Sequence, residues 1–447
     1  MIRQFRLENF KGHRDTDLVL ERFTVLVGDN GSGKTSILEA LQLPGKLSTH
    51  AEDLAPDELL RWGTKHMQLS FDGSTHGERW TSSITLTAHS DLPNAWQLKA
   101  SGVDALVGEF GKSGLLGTLG PHIEALSRIT RLMGDVGLYR FRSDQVAAPA
   151  YSDQPGASVA EDGAQTAVVL AALKLADDAA FNRIESAMRR IVPSLNRVFI
   201  KPATVKHPSN PNPVTGSKLY FDFQGAKGVP AHHASQGTLV ALALLTVLHG
   251  RDRPSVILLD DFDHSLHPRA QMELVRMIKE LLELDELKET QIIATTHSPY
   301  VLDEVSPSNV IAFALRDDGT VASKPLSEHP DAPKMTGALK SGELWSLDGE
   351  RDWVLGDWSR SVKRRPIFGW RRASSIVCLA SRDRHGSSIT SNRLTSSARG
   401  NRTDSGAGTS TSTSSISTWM SFVFGVFVAI STAAPEVPAA RWHARPS

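Results

Sequence analysis

The chain of 447 residues contains one cysteine, Cys378. A single thiol excludes an internal disulfide and a cysteine-built zinc or iron–sulfur centre. Net charge is also missing, with 49 Lys+Arg against 49 Asp+Glu. The balance hides an asymmetry: residues 351–447 hold 14 basic and 5 acidic side chains, leaving 35 and 44 in the first 350. That mildly acidic body gives no bulk-charge support for nucleic-acid binding. There is no apolar leader either, since Met1 runs directly into MIRQFRLENFK; the expected compartment is the cytoplasm. No heptad pattern lasts three repeats, which argues against a long coiled-coil arm. The longest uncharged apolar run, WMSFVFGVFVAISTAA at 419–434, has 16 residues, short of the roughly 20 that span a bilayer. It reads as a packed or aggregation-prone tail in preference to a membrane helix.

What is present is ordinary soluble composition, 40% hydrophobic and 22% charged, sized for one large domain or a few smaller ones. Phe23, Val25 and Val27 alternate along a strand that stops at Gly28. Ile37, Leu38, Leu41 and Leu43 follow at helical spacing, and Pro44-Gly45 is expected to end that helix. Residues 66–100 read as β-rich. Segments 115–133 and 164–192 have helical spacing, separated by a Gly/Pro/Ala-rich stretch at 144–163 that reads as a mobile loop. A strand at 218–223, a helix at 236–249, a strand at 255–259, a helix from about 268 to 284 and a strand at 291–296 complete an α/β alternation with parallel strands. Beyond about 355 the composition breaks. Residues 374–418 contain 21 Ser+Thr, and 351–404 contain 11 Arg against one Lys. The tail reads as disordered, and its abrupt onset fits a change of reading frame.

Four motifs carry chemistry. Gly28, Asp29, Asn30, Gly31, Ser32, Gly33, Lys34 and Thr35 fit the phosphate-loop pattern G-x-x-x-x-G-K-[ST], with Ser36 next. Glycines let successive backbone amides face an anion, and the following helix presents its positive end to it. Lys34 supplies a mobile charge for the β- and γ-phosphates of ATP, and the Thr35 hydroxyl is a hard ligand for Mg²⁺. Second, the apolar run 256–259 ends in Asp260 and Asp261. Asp260 is placed to hold Mg²⁺, and Asp261 to orient or deprotonate the attacking water; both acids are expected on the strand adjoining the loop. Third, the run 291–296 delivers His297 to the same edge, in reach of the γ-phosphate or the water. Fourth, Ser235, Gln236 and Gly237 open a helix. They read either as an ordinary cap or as a second anion site for the nucleotide of another subunit. His232 and His233 just before them read as solvated loop residues.

In this order, GDNGSGKTS, SQGT, VILLDDFDHSLHP and ATTHSPYVLD resemble an ABC-type ATPase head of the RecF, chromosome-maintenance (SMC) and OLD-nuclease branch of AAA-family ATPases. The opening IRQFRLENFKGHRD is similar to that branch as well. The resemblance implies a P-loop NTPase fold with a β-rich N-terminal lobe over 1–103, a helical insertion or lid over 104–215 and a C-terminal lobe over 216–355, followed by the tail at 356–447. It makes 28–35 the Walker A loop, Asp260 the Walker B acid, Ser235–Gln236–Gly237 the signature, 265–268 the dimer-contacting D-loop and His297 the switch histidine. Gln145 becomes the candidate metal-sensing glutamine. The implied activity is ATP hydrolysis with Mg²⁺ in a nucleotide-bridged homodimer. DNA or a nuclease or other effector encoded nearby are candidate partners, in DNA maintenance or anti-phage defence. Two departures matter: the branch usually carries Glu where this chain has Asp261, and SQG replaces the transporter-like LSGGQ. The first keeps open a regulatory switch that turns over slowly or not at all. The second, with SLHP, disfavours the nucleotide-binding subunit of a transporter.

Overall fold

The computed structural model of the chain describes residues 1–49, 55–75, 77–87, 95–100, 103–109, 123–152, 156–206, 212–250, 252–332, 340–347 and 350–356. All belong to the first of two units, Met1–Gly369. The readings of a disordered tail beyond 356 and of an apolar run at 419–434 lie outside the described residues.

The chain opens with β1 (Ile2–Phe10) and β2 (His13–Val19), an antiparallel pair. Asn9 near the end of β1 and Lys11 in the tight turn after it are held in left-handed backbone. The all-buried β3 (Phe23–Gly28) leads into α1 (Lys34–Thr49). That helix does not stop at Pro44, which sits inside it. Proline forfeits one backbone hydrogen bond, but Leu43 and Leu47 on either side are buried and carry the helix onward. After the one-turn α2 (Pro56–Leu59) come β4 (His66–Thr75), β5 (Glu78–Thr87), β6 (Ala95–Ala100) and β7 (Val103–Glu109), which extend β1 and β2 into a six-stranded antiparallel sheet, β2-β1-β4-β5-β6-β7.

Next are α3 (Ile123–Gly134), β8 (Val136–Tyr139), the short α4 (Ser143–Ala147), α5 (Thr166–Ala176) and α6 (Asp178–Ile191). The helical spacing over 164–192 thus resolves into two helices, divided at Asp177, whose carboxylate caps α6 through the Ala180 amide. A three-stranded antiparallel sheet follows, β11-β10-β9, from β9 (Leu195–Val205), β10 (Val214–Phe223) and β11 (Ala226–Pro230). The remainder is α7 (Gln236–His249), β12 (Val256–Leu259), α8 (Pro268–Leu282), β13 (Gln291–Thr296), α9 (Pro299–Leu302), β14 (Val310–Leu315), β15 (Val321–Pro325), α10 (Ser341–Leu347) and α11 (Glu350–Leu355).

The sheet that positions the site runs β15-β14-β3-β13-β12-β8, parallel throughout except for the β14–β15 edge. Its central strands are apolar on both faces because both faces are covered. Val25, Val27, Ile257, Leu259, Ile292 and Ala294 pack with α5 to α8, whereas Leu26, Leu258, Ile293 and Phe313 pack with α1 and the antiparallel sheet. Buried Gln291 ties the two sheets together: its side chain accepts from the Ile2 amide at 2.9 Å and donates to the carbonyls of Ile2 at 2.7 Å and Glu21 at 3.1 Å. The ranges 1–103, 104–215 and 216–355 interleave, since β3, β8 and β12 to β15 come from all three. The middle range, expected to be a helical insertion, holds α3 to α6 and also most of β7, all of β8 and β9, and the first residues of β10.

Candidate functional site

The loop at 28–35 takes its shape from three glycines with positive φ. Gly28 (φ 150°) lies so close to β14 that a Cβ would stand 2.3 Å from the Phe313 carbonyl oxygen. Gly33 (φ 94°) is pressed against His13, with its would-be Cβ 2.8 Å from the imidazole Nε2. Gly31 (φ 77°) faces open space. Lys34 Nζ donates to the carbonyls of Gly28 at 2.8 Å and Asp29 at 2.9 Å, bracing the loop from inside. Asp29, Asn30 and Gly31 form its exposed rim, and Ser36 is half-buried in the first turn of α1. The Ser32 hydroxyl is buried without a hydrogen-bond partner among the described residues. A glycine cradle, an ammonium and an unpartnered buried hydroxyl are the donors that a polyphosphate would satisfy.

His13, which sequence reasoning passed over, supports this loop from below. It is fully buried and sits 3.1 Å from the Gly33 carbonyl oxygen and 3.0 Å from the Thr16 hydroxyl. A carbonyl only accepts, so Nε2 carries the proton and Nδ1 accepts from Thr16. Burial pushes its pKa down to about 4, so the ring is neutral at pH 7.

The acids arrive from β12, and β12 does not adjoin β3. β13 lies between them, and the gap is closed because α1 starts above the strand ends. The Thr35 hydroxyl lies 3.1 and 3.2 Å from the two oxygens of Asp260. That pairing of a hydroxyl with a carboxylate is a hard-oxygen donor set suited to Mg²⁺. The intervening strand supplies Thr295, the hub of the site. Its hydroxyl donates to Asp260 at 2.8 Å, lies 3.3 Å from Asp261 Oδ1 and accepts from the Asp261 amide at 2.8 Å. Asp261 is held in left-handed backbone (φ 48°), a conformation that costs on the order of 1 kcal/mol. His297 Nε2 lies 3.7 Å from Asp261 Oδ1. Its pKa is lowered by burial and by the Lys34 charge, which favours the neutral ring.

Gln145 is not brought into this cluster; its amide bonds the neighbouring Asp144 at 3.2 Å. The residue from that segment that reaches the site is Arg140, whose Nε donates to Asp260 at 2.8 Å and whose Nη2 donates to Glu39 at 3.0 Å. Lys11 pairs with the other Glu39 oxygen. Thr295 was hidden in the sequence because threonine is an ordinary strand residue. Arg140 had one signal, its place just after a strand ending at the ligand-binding edge.

Ser235 caps α7 by accepting from the Thr238 amide at 3.2 Å. Gln236 accepts from the Ser265 hydroxyl at 3.0 Å, and Gly237 lies so close to Ser265 that a Cβ would stand 2.6 Å from its carbonyl oxygen. These bonds do not run to the phosphate loop: Ser235 and Gln236 are exposed at the surface. A polar chain nearby reaches the residues on either side of His297. Buried Asp263, its pKa raised to about 6 by burial, accepts from Thr296 at 2.9 Å. Gln271 donates to the Asp263 carbonyl at 3.1 Å and accepts from Ser298 at 2.7 Å. Ser265 is therefore joined to the start of α7, and Asp263 and Gln271, on either side of 265–268, are joined to the residues flanking His297.

The family model described as "AAA domain, putative AbiEii toxin, Type IV TA system" matches residues 23–303. The chain belongs to this AAA-domain family. Its match takes in residues 28–35, Asp260, Asp261 and His297. The chain is similar to the Septu protein PtuA of Bacillus thuringiensis, at 34% identity over 17% of this chain and 18% of that one. It is also similar to the DNA replication and repair protein RecF of Ruminiclostridium cellulolyticum, at 32% over 17% and 21%. The DNA double-strand break repair Rad50 ATPase of Sulfolobus acidocaldarius matches at 32% over 18% and 9%. The aligned part thus spans about a fifth or less of each relative. Among solved structures, an SMC head bound to the C-winged helix domain of ScpA superposes with a TM-score of 0.50 at 16% identity, covering 74% of this chain and 99% of that one. The AAA-domain chain thus has the P-loop NTPase fold of the RecF- and SMC-like kind.

Proposed function

We propose that the chain binds and hydrolyses ATP, and that nucleotide-driven pairing of two heads gates a partner or DNA-related activity. The observation that carries this reading is the approach of the Thr35 hydroxyl to both Asp260 oxygens directly beside the Lys34 loop. The loop amides and Lys34 bind and orient the triphosphate, and Asp261, steered by Thr295, accepts a proton from the attacking water. Neutral His297 donates a hydrogen bond toward the reacting phosphoryl group. Mg²⁺, held by Thr35 and Asp260, supplies charge neutralisation when bound. Exposed Ser235 and Gln236 at the start of α7 support the pairing, because their surface is open to a second head. The names of RecF and Rad50 support a setting in DNA maintenance.

A second reading, a slow ATP-dependent switch, is favoured by Asp261 itself. A side chain one methylene shorter than Glu holds its carboxylate farther from the phosphate, and small displacements of a catalytic base cost large factors in rate. The test is equilibrium binding of a fluorescent ATP analogue with Mg²⁺, followed by steady-state phosphate release. Lys34→Ala is expected to abolish binding; retained affinity would sink the site assignment. If Asp261→Glu raises turnover tenfold or more, the native protein is the slow switch; equal or lower turnover favours the working ATPase.

A further inference from the structure

The body of the chain is acidic, yet the outer face of the β9–β10 pair is not. Alternation along β9 buries Val198 and turns Arg197, Phe199 and Lys201 outward, while β10 buries Leu219 and Phe221 and turns Lys218, Tyr220 and Asp222 to the same outer face. The register sets Phe199 opposite Tyr220, Lys201 opposite Lys218 and Arg197 opposite Asp222. The rings stack with centroids 5.7 Å apart and planes 21° from parallel. Cations flank them: Arg197 lies 4.6 Å from the Phe199 centroid, and Lys201 lies 4.8 Å from that of Tyr220. Asp222 is matched by Arg197 at 3.2 Å. Among the described residues neither Lys201 nor Lys218 has a carboxylate partner. Beside β9 a groove of about 700 Å³ is lined by Arg197, Phe199 and Lys201, by Val198 and Ile200 of the opposite face, and by Leu175 and Glu185 of the helices; Tyr220 and Lys218 do not line it. Lys218 borders a second groove of about 610 Å³ together with His232 and Gln236.

We propose that this face binds single-stranded nucleic acid. Unpaired bases would stack on the Phe199–Tyr220 pair, and Lys201 and Lys218 would leave the ring faces to meet the phosphates. Interleaved rings and cations on an open sheet suit flexible single strands, whose bases are free to splay. A duplex keeps its base faces covered, and an acidic peptide has no use for the rings. The second groove leads from Lys218 to Gln236, so a bound strand would lie beside the start of α7. The Phe199–Tyr220 face is separate from the phosphate loop and does not rest on the ATPase reading; Lys34→Ala is expected to leave it intact.

The test uses the full chain without nucleotide, and fluorescence anisotropy with labelled 20-residue oligothymidylate and oligouridylate from 50 to 300 mM salt. Similar affinities would mean backbone and base recognition; a preference for one would assign DNA or RNA, and both support the proposal. Phe199→Ile/Tyr220→Ile is expected to weaken binding about tenfold, in the range for loss of base stacking. Lys201→Ala/Lys218→Ala is expected to flatten the logarithmic salt slope by about 1.4, from roughly 0.7 per phosphate contact. Lys288→Ala, removing an exposed charge elsewhere, is expected to change affinity less than twofold. Absence of binding, an unchanged salt slope in the lysine variant, equal capture of polyglutamate, or an equal effect of Lys288→Ala would each overturn the proposal. If the ring variant fails to fold, the lysine slope decides alone.

Discussion

Thr295→Val is the most informative change at the proposed nucleotide site. Valine keeps the shape of threonine and removes only the hydroxyl. That oxygen accepts the Asp261 amide at 2.8 Å and donates to Asp260 at 2.8 Å, on a strand position with no solvent exposure. The variant strands the amide and deprives a carboxylate oxygen of its donor, which costs about 1–3 kcal/mol for groups of this kind. It also releases the anchor that holds Asp261 at φ 48°. We expect a loss of about 2 kcal/mol, seen as a fall of about 3 °C in the thermal midpoint. Freed from that anchor, the Asp261 carboxylate drifts by up to an ångström, and phosphate release falls about a hundredfold, while ATP binding through the Lys34 loop stays within a few-fold. Thr295→Ser keeps the hydroxyl and gives up one methyl, about 0.8 kcal/mol, with turnover within threefold of wild type. If the valine variant equals wild type in midpoint and rate, or the serine variant is as impaired as valine, Thr295 does not organise the acids.

Two further outcomes follow from burial. The pKa of His13 is about 4 against an ordinary 6.5, so the unfolded chain binds the extra proton first. Its contribution is fully present above pH 6.5 and is lost as pH falls toward 4, about 3 kcal/mol in all. Urea unfolding at a series of pH values is expected to show the advantage of wild type over His13→Leu shrinking by that amount between pH 7 and 4. At the other end of the described chain, α11 buries Trp353 and Val354 and packs Trp353 on His329 with ring centroids 5.0 Å apart. A chain ending after Gly356 is expected to keep the wild-type melting midpoint. One ending after Leu347 loses the tryptophan's burial, about 3–5 kcal/mol, and would melt well below it.

The sequence by itself determined the pieces that depend on local rules. A phosphate loop needs glycines, a lysine and a hydroxyl at fixed spacing between a strand and a helix, so residues 28–35 were legible at once. Apolar runs of four to six residues ending in Asp260 or His297 declared buried parallel strands, and α7 and β13 fell on their expected boundaries. What tertiary structure decided was which strand lies beside which, and hence who touches whom. The insertion of β13 between β3 and β12 made Thr295 the link between the acids. The place of β8 at the sheet's edge sent Arg140, and not Gln145, to Asp260, and the packing of β2 on the loop put a neutral histidine under Gly33. Pro44 failed to end its helix because burial of Leu43 and Leu47 outweighs one missing hydrogen bond. Spacing along the chain fixes local backbone geometry, whereas contacts between residues hundreds of positions apart exist only after the sheet has chosen its strand order. No local pattern encodes that choice, because it rests on the summed burial of many side chains.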